Sequence, residues 1–277
     1  MNRLAINTAG DELEESASYC RSQGIGIEVT GFYPPPNLDG DMSGLINRHA
    51  RAVGGISPVI FHGPFLDLIA VSRDPAIVEV TRKRHSASLH AAQEIGATVY
   101  VAHTNYHPMI RDASYRKNFS KRMLDFWLPF ADQAAKDGIV ICLENLWEPG
   151  PEIQAELISE AKHPSLKASF DNGHALVFSA KPASYWIETL GGNLAHCHLH
   201  DNARAFDEHK PVGEGKENWP ELLGATEMFS PLAVLVAESD RLASNRTSIE
   251  RLGSLSHAGA KRRASGTARF QEIIWGK

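Results

Sequence analysis

TVYVAH (98–103) and IVICLEN (139–145) are the segments whose reading decides the fold. Each is a short apolar run rich in β-branched residues, long enough for a strand and too short for a helix. Each follows a helical pattern closed by a glycine, Gly96 after AAQEI and Gly138 after the run that ends near 136. Glycine in that place reads as a helix C-cap, because the left-handed backbone that ends a helix costs glycine little. The two segments therefore bracket a strand–helix–strand unit.

Outward from this unit the same pattern repeats. LAIN (4–7), GIEVT (26–30), PVIFH (58–62), KASFD (167–171), LAHCHLH (194–200) and AVLVAES (233–239) complete a set of eight strand candidates. Helical segments are expected near 11–22, 43–53, 74–95, 117–136, 151–162, 181–190, 218–226 and 243–253. Regular alternation implies parallel βαβ units. Eight of them in this length predict a closed (β/α)8 TIM barrel over residues 1–252. An open doubly wound sheet is the alternative, but no Gly-rich phosphate turn follows the first strand. Pro34, Pro35 and Pro36 are expected to exclude regular structure after strand two, and Ser114 is the candidate cap of the fourth helix. Residues 253–277 read as an extension past the barrel, with Lys261, Arg262 and Arg263 as a solvated basic cluster.

Composition narrows the function classes. The 277 residues carry 33 acidic and 28 basic side chains, a formal charge of −5, which argues against nucleic acid as partner. Only three cysteines occur, far apart, so neither a disulfide framework nor a thiolate metal site is expected. The N-terminus turns acidic too early for a signal peptide, and no apolar run approaches a membrane span. A cytoplasmic protein acting on a small molecule is the expectation, with the oligomeric state left open.

The ionisable residues point to chemistry. Barrel enzymes place their reactive groups at the C-terminal ends of the strands. Here strand three ends in His62, strand four in His103, strand five in Glu144, strand six in Asp171, strand seven in His198 and strand eight in Glu238. Six such groups in succession are not what core packing produces, since unpaired buried charges are costly. His174, Asp207 and His209 lie in the loops just beyond. Imidazole mixed with carboxylate suits zinc, with manganese or iron as second choices, at an open catalytic site. Each residue taken singly has a plainer reading: His62 as a core histidine, Glu238 as an arginine partner. Of the alternating His196, His198 and His200, His198 has the height of a ligand, His196 packs deeper, and His200 reaches substrate or a neighbouring loop. His85, His90 and His257 are expected on the surface, and His49 has no assigned role.

These residues carry a resemblance. FHGPFLDL (61–68), VAHTNYHP (101–108), CLEN (142–145), SFDNGHA (169–175), HLHDN (198–202), DEHKPVGEG (207–215) and VAES (236–239) resemble the xylose isomerase-like TIM-barrel superfamily. That superfamily includes endonuclease IV and many sugar and sugar-phosphate isomerases and epimerases. The endonuclease IV branch implies three zinc ions: one at His62, His103 and a bridging Glu144, a second at Glu144, Asp171, His198 and Glu238, a third at His174, Asp207 and His209. The isomerase branch implies one divalent metal at Glu144, Asp171, His198 and Glu238, with Glu144 and Glu238 moving the proton.

The expected function is a divalent metal-dependent isomerase or epimerase of a sugar or sugar phosphate. A multi-zinc phosphoesterase is the alternative. Phe65 and Trp147 are candidate pocket walls, since sugar faces pack on aromatic rings. Phe65 with Leu66 could also wedge a base stack, the less simple reading. His107, His200 and Lys210 are further candidate substrate contacts, with Lys210, His174 and His209 able to orient a polar or phosphorylated end.

Overall fold

The structure, a computed structural model, describes residues 3–8 and 11–255. Eight strands form its centre: β1 (Leu4–Asn7), β2 (Gly26–Val29), β3 (Val59–His62), β4 (Val99–His103), β5 (Val140–Glu144), β6 (Leu166–Asp171), β7 (Leu194–Leu199) and β8 (Val234–Ala237). All pair in parallel with their sequence neighbours, and β1 pairs with β8, so the sheet closes into a barrel. Closure rules out the open-sheet alternative.

The connecting helices are α1 (Leu13–Gln23), α2 (Ser43–Val53), α3 (Pro75–Ile95), α4 (Ala113–Lys136), α5 (Glu152–Ala161), α6 (Asn172–Phe178), α7 (Ala183–Leu190), α8 (Trp219–Phe229) and α9 over 242–255. Gly96 ends α3 in the left-handed region at φ 82°, as its position predicted. Gly138, at φ 70°, follows the end of α4.

Three expectations need correction. The cap of α4 is Asp112, whose carboxylate accepts from the Ser114 and Tyr115 amides; Ser114 already lies inside the helix. The proline run is partly regular, since Pro35–Leu38 forms a 3-10 turn, and proline fits a first helical turn because no amide donor is needed there. Helix α6 has no counterpart among the expected helices, because seven residues are too few to show a helical period. The last helix runs to residue 255, and residues 256–277, with the basic cluster and His257, lie outside the described residues.

Side chains alternate in and out along each strand, and this alternation builds the site. Outward residues such as Phe61, Tyr100, Ile141, Phe170 and Cys197 pack under the helices in one large apolar cluster. Inward residues form layers. Ala5, Ile60, Val99, Val101, Cys142 and Val236 make a small apolar cluster. Above it Glu28, Ser169 and His196 are completely buried. One step further along the same strands stand His62, Glu144, Asp171 and His198. The three cysteines are free and buried. Among the described residues, no helix is long and apolar enough to cross a membrane.

Candidate metal centre at the barrel mouth

The nine residues singled out as ligands form one connected network. Glu144, at the end of β5, is its hub. Its Oε2 lies 3.7 Å from His62 Nε2 and 3.2 Å from His198 Nδ1. Its Oε1 lies 3.6 Å from His103 Nε2 and 3.4 Å from His174 Nδ1. His198 Nδ1 is also 3.6 Å from Asp171 Oδ2 and 3.5 Å from Glu238 Oε2. On the outer side, Asp207 Oδ2 lies 3.3 Å from His174 Nε2 and 3.0 Å from His209 Nε2.

Local structure fixes several of these groups. Asp171 caps α6, and its Oδ1 accepts from the His174 amide, leaving Oδ2 toward His198 and His200. Asn145 clamps the neighbouring strand by donating to the Asp171 carbonyl and accepting from the Asp171 amide. Gly173 leaves room for the His200 ring, since a Cβ there would overlap His200 Cε1. The loop bearing Asp207 and His209 folds back through an antiparallel bridge between Asp201 and Lys210. Asp201 holds that return further by accepting from the Gly213 and Glu217 amides and from Trp219 Nε1. His209, at φ 47°, turns its ring flat onto His200 at 4.0 Å between centroids.

Electrostatics show what the centre lacks. Burial would lower the basicity of His198, yet Glu238, Glu28 and Glu144 hold it well above the ordinary imidazole range. Burial would raise Glu144, but His198 and His103 hold its carboxyl down at about 2. Burial likewise opposes the basicity of His209, which Glu238 and Asp207 raise to about 9. His103 goes the other way, lowered to about 3 because burial outweighs the pull of Glu144. Three carboxylates converging on His198 Nδ1 call for positive charge at that point. Glu144 Oε2 and His198 Nδ1 are buried and have no hydrogen-bond partner. These two orphaned atoms lie 3.2 Å apart, and their donor chemistry suits a divalent cation. Ligand atoms of Asp171, His198 and Glu238 lie within 4.8 Å of one another, as do those of His62, Glu144 and His198, and those of Glu144, Asp171 and His174.

Two cavities adjoin the cluster, and the candidate substrate contacts Phe65, His107, Trp147 and His209 line one or both, whereas His200 and Lys210 line neither. One, about 640 Å³, is lined by His62, His209 and Glu238 together with Asn7, Thr30 and Tyr33. The other, about 670 Å³, holds His107 and Trp147, whose rings meet at 5.6 Å. Phe65 lines both, stacks on His103 at 5.1 Å and on Tyr33 at 5.1 Å, and so stands as wall rather than free wedge. Lys210 pairs with Glu208 at 2.6 Å. His200 is buried, with Nε2 3.1 Å from Asp171 Oδ2.

Two buried acids escape the sequence reading. Glu28 accepts from His198 Nε2 at 3.1 Å through both oxygens and lies 3.2 Å from His196 Nε2. It is the one charged residue of GIEVT (26–30), a signal the sequence does contain. Glu148, in the loop after β5, bonds to Thr104 Oγ1 and the Leu146 amide, and burial pushes its carboxyl up to about 7. His85, expected on the surface, is instead buried, with Nδ1 in a hydrogen bond to Tyr100 Oη; His49, which had no assigned role, is buried with its ring against Phe32.

With fold and geometry in hand, the class is plain: this is a parallel eight-stranded barrel with a histidine–carboxylate cluster at its C-terminal mouth. The chain belongs to the xylose isomerase-like TIM barrel family, whose model matches residues 7–228. The protein MJ1311 of Methanocaldococcus jannaschii, described as uncharacterized, is 30% identical over 179 residues, spanning 60% of this chain and 58% of that relative. The match thus covers little more than half of the relative's length. Among solved structures, a D-tagatose 3-epimerase-like protein superposes with a TM-score of 0.75 at 23% identity, over 94% of this chain and 99% of that one. The TTHB071 protein from Thermus thermophilus, soaked with ZnCl2, gives a TM-score of 0.77 at 24% identity, over 92% and 98%. The 3-keto-D-glucoside 4-epimerase YcjR from E. coli gives 0.69 at 16% identity, over 92% and 100%.

Proposed function

We propose that the protein is a divalent metal-dependent isomerase or epimerase acting on a sugar or sugar phosphate. One observation carries this reading: Glu144 and Glu238 approach the same nitrogen, His198 Nδ1, at 3.2 and 3.5 Å from β5 and from the residue after β8. Those strands are well separated around the barrel. A sugar carbon held between the two carboxylates has a base on one face and an acid on the other, the arrangement that proton removal and return require.

Glu144, Asp171, His198 and Glu238 would hold the metal. When bound, it would polarise a carbonyl or hydroxyl oxygen of the substrate. The chain does the rest. Glu144, kept ionised chiefly by His198, serves as the base, and Glu238 exchanges the second proton. Phe65 and Tyr33 wall the adjoining cavity and exclude water from one sugar face. Zinc is the favoured ion, manganese or iron the alternatives. The epimerase names among the structural neighbours support the same class.

The test is solvent proton exchange. Metal-loaded protein incubated with sugars and sugar phosphates in deuterated water should incorporate deuterium at one carbon, and Glu144→Gln should stop it. Absence of exchange across the panel removes the reading. A second reading, a multi-zinc phosphoesterase, is favoured by the inclusion of His62, His103, His174, Asp207 and His209 in the network. Close to three zinc ions per chain with phosphoester turnover would select it.

A further inference from the structure

Two cavities of similar size lie beside the histidine–carboxylate cluster. The polar cavity next to Glu238 is about 640 Å³. The second, about 670 Å³, is walled mainly by Phe65, Leu68, Ile69, Val71, Ile110 and Trp147. Each lies within the ~300–1,000 Å³ of an entire ligand pocket. The two share Phe65 as a wall residue, and its ring also lies against His62 and His103. Its apolar side chains are unusually open to water: Ile69 is 42% exposed, Ile110 45% and Trp147 38%. Three large apolar residues lining one concavity beside a reactive cluster make a patch that a ligand would cover.

Four charged residues, Asp67, Arg73, Asp112 and Arg122, also line this space. Asp112 is spent on the cap of α4, and Arg122 donates to the Val71 carbonyl. A bare sugar, hydroxylated all round, or a sugar phosphate would leave these walls wet.

We infer that the substrate is a carbonyl-bearing sugar with an apolar, flat substituent placed away from its carbonyl carbon, an aryl ether or similar, with the substituent lying in the cavity between Phe65, Ile69, Ile110 and Trp147. The inference rests on the sugar-directed reading of the metal centre and sharpens it. The substituent's ring packs on Phe65 and Trp147, and the sugar projects past Phe65 toward Glu144 and Glu238.

Calorimetry on the metal-loaded full chain tests it, with paired methyl and phenyl hexosides and with phenol alone as probes. The phenyl member of at least one pair should bind roughly 10- to 100-fold more tightly than its methyl counterpart, the value of burying one aromatic ring. Phenol should bind weakly, and Ile110→Glu and Ile69→Glu should each remove both effects. Equal affinity of methyl and phenyl members overturns the inference, as does failure of phenol and all phenyl hexosides to bind. So does a phenyl preference that survives both substitutions. Since binding needs no turnover, the two readings fail separately. Proton exchange on free sugars without a phenyl preference sinks this inference alone. A phenyl preference without exchange on any free sugar or aryl-substituted keto sugar sinks the isomerase reading alone.

Discussion

His198 Nε2 lies 3.1 Å from both carboxylate oxygens of Glu28, and neither residue is exposed. A proton on Nε2 shared with Glu28 leaves Nδ1, on the other side of the ring, to face Glu144, Asp171 and Glu238. Carboxylates behind metal-binding histidines fix the tautomer and raise ligand basicity, and their loss typically costs about 10- to 100-fold in metal affinity. Glu28→Gln should therefore weaken zinc binding by about tenfold and Glu28→Ala by more, read by competition with a chromogenic chelator. Unchanged affinity in both variants would show that Glu28 only fills the barrel.

Metal removal should be visible in stability. A ligand that binds only the native state stabilises it in proportion to the logarithm of its excess, about 2.7 kcal/mol at a hundred times Kd. Exhaustive chelation should lower the melting temperature, and re-addition of zinc should restore it. In Glu144→Gln the same treatment should have a much smaller effect, because the hub carboxylate shared by four histidines is gone. An equal shift in wild type and variant would separate Glu144 from the metal.

Much of this site is legible in the sequence because a strand reports its faces by alternation. Val101 and His103 point the same way, as do Cys142 and Glu144, and the polar member falls at the barrel mouth by register alone. Asp207 and His209 are less accessible, since they reach the site through a fold-back that Asp201 organises, and no local period encodes it. Glu28 sits one layer lower, where an apolar strand disguises it until His196 and His198 are seen across the barrel. His85 reads as surface because the charged run of Arg82, Lys83 and Arg84 directly precedes it in α3. Only packing shows that it faces Tyr100 and Trp127.

His85 should make the protein acid-sensitive. Burial, with His103 and His62 adding to it, lowers its basicity to about 3 from an ordinary 6.5. The native state thus refuses a proton that the unfolded chain accepts. The His85 contribution is complete above pH 6.5 and is lost as pH falls toward 3, by up to about 1.4 kcal/mol per pH unit. His85→Gln should cost roughly 1–3 kcal/mol at pH 7, through lost packing on Trp127. Its stability should decline less steeply than that of wild type between about pH 6 and 4 in urea titrations. Parallel slopes would mean that His85 takes up a proton without unfolding.

Glu148 should act with the opposite sign. Its carboxyl is raised to about 7 from 4.5, chiefly by burial, so the native state keeps a proton that the unfolded chain has released. Stability is then unaffected below pH 4.5, falls as pH rises toward 7 and levels off above it. Over that span the loss is on the order of 3 kcal/mol. Glutamine can keep both bonds, donating its amide to Thr104 Oγ1 and accepting from the Leu146 amide, without the ionisation. In metal-stripped protein, Glu148→Gln should match wild type at about pH 5 and exceed it at about pH 8. A difference between the two proteins that does not change over that interval would place a permanent charge on Glu148 and require a cation beside it.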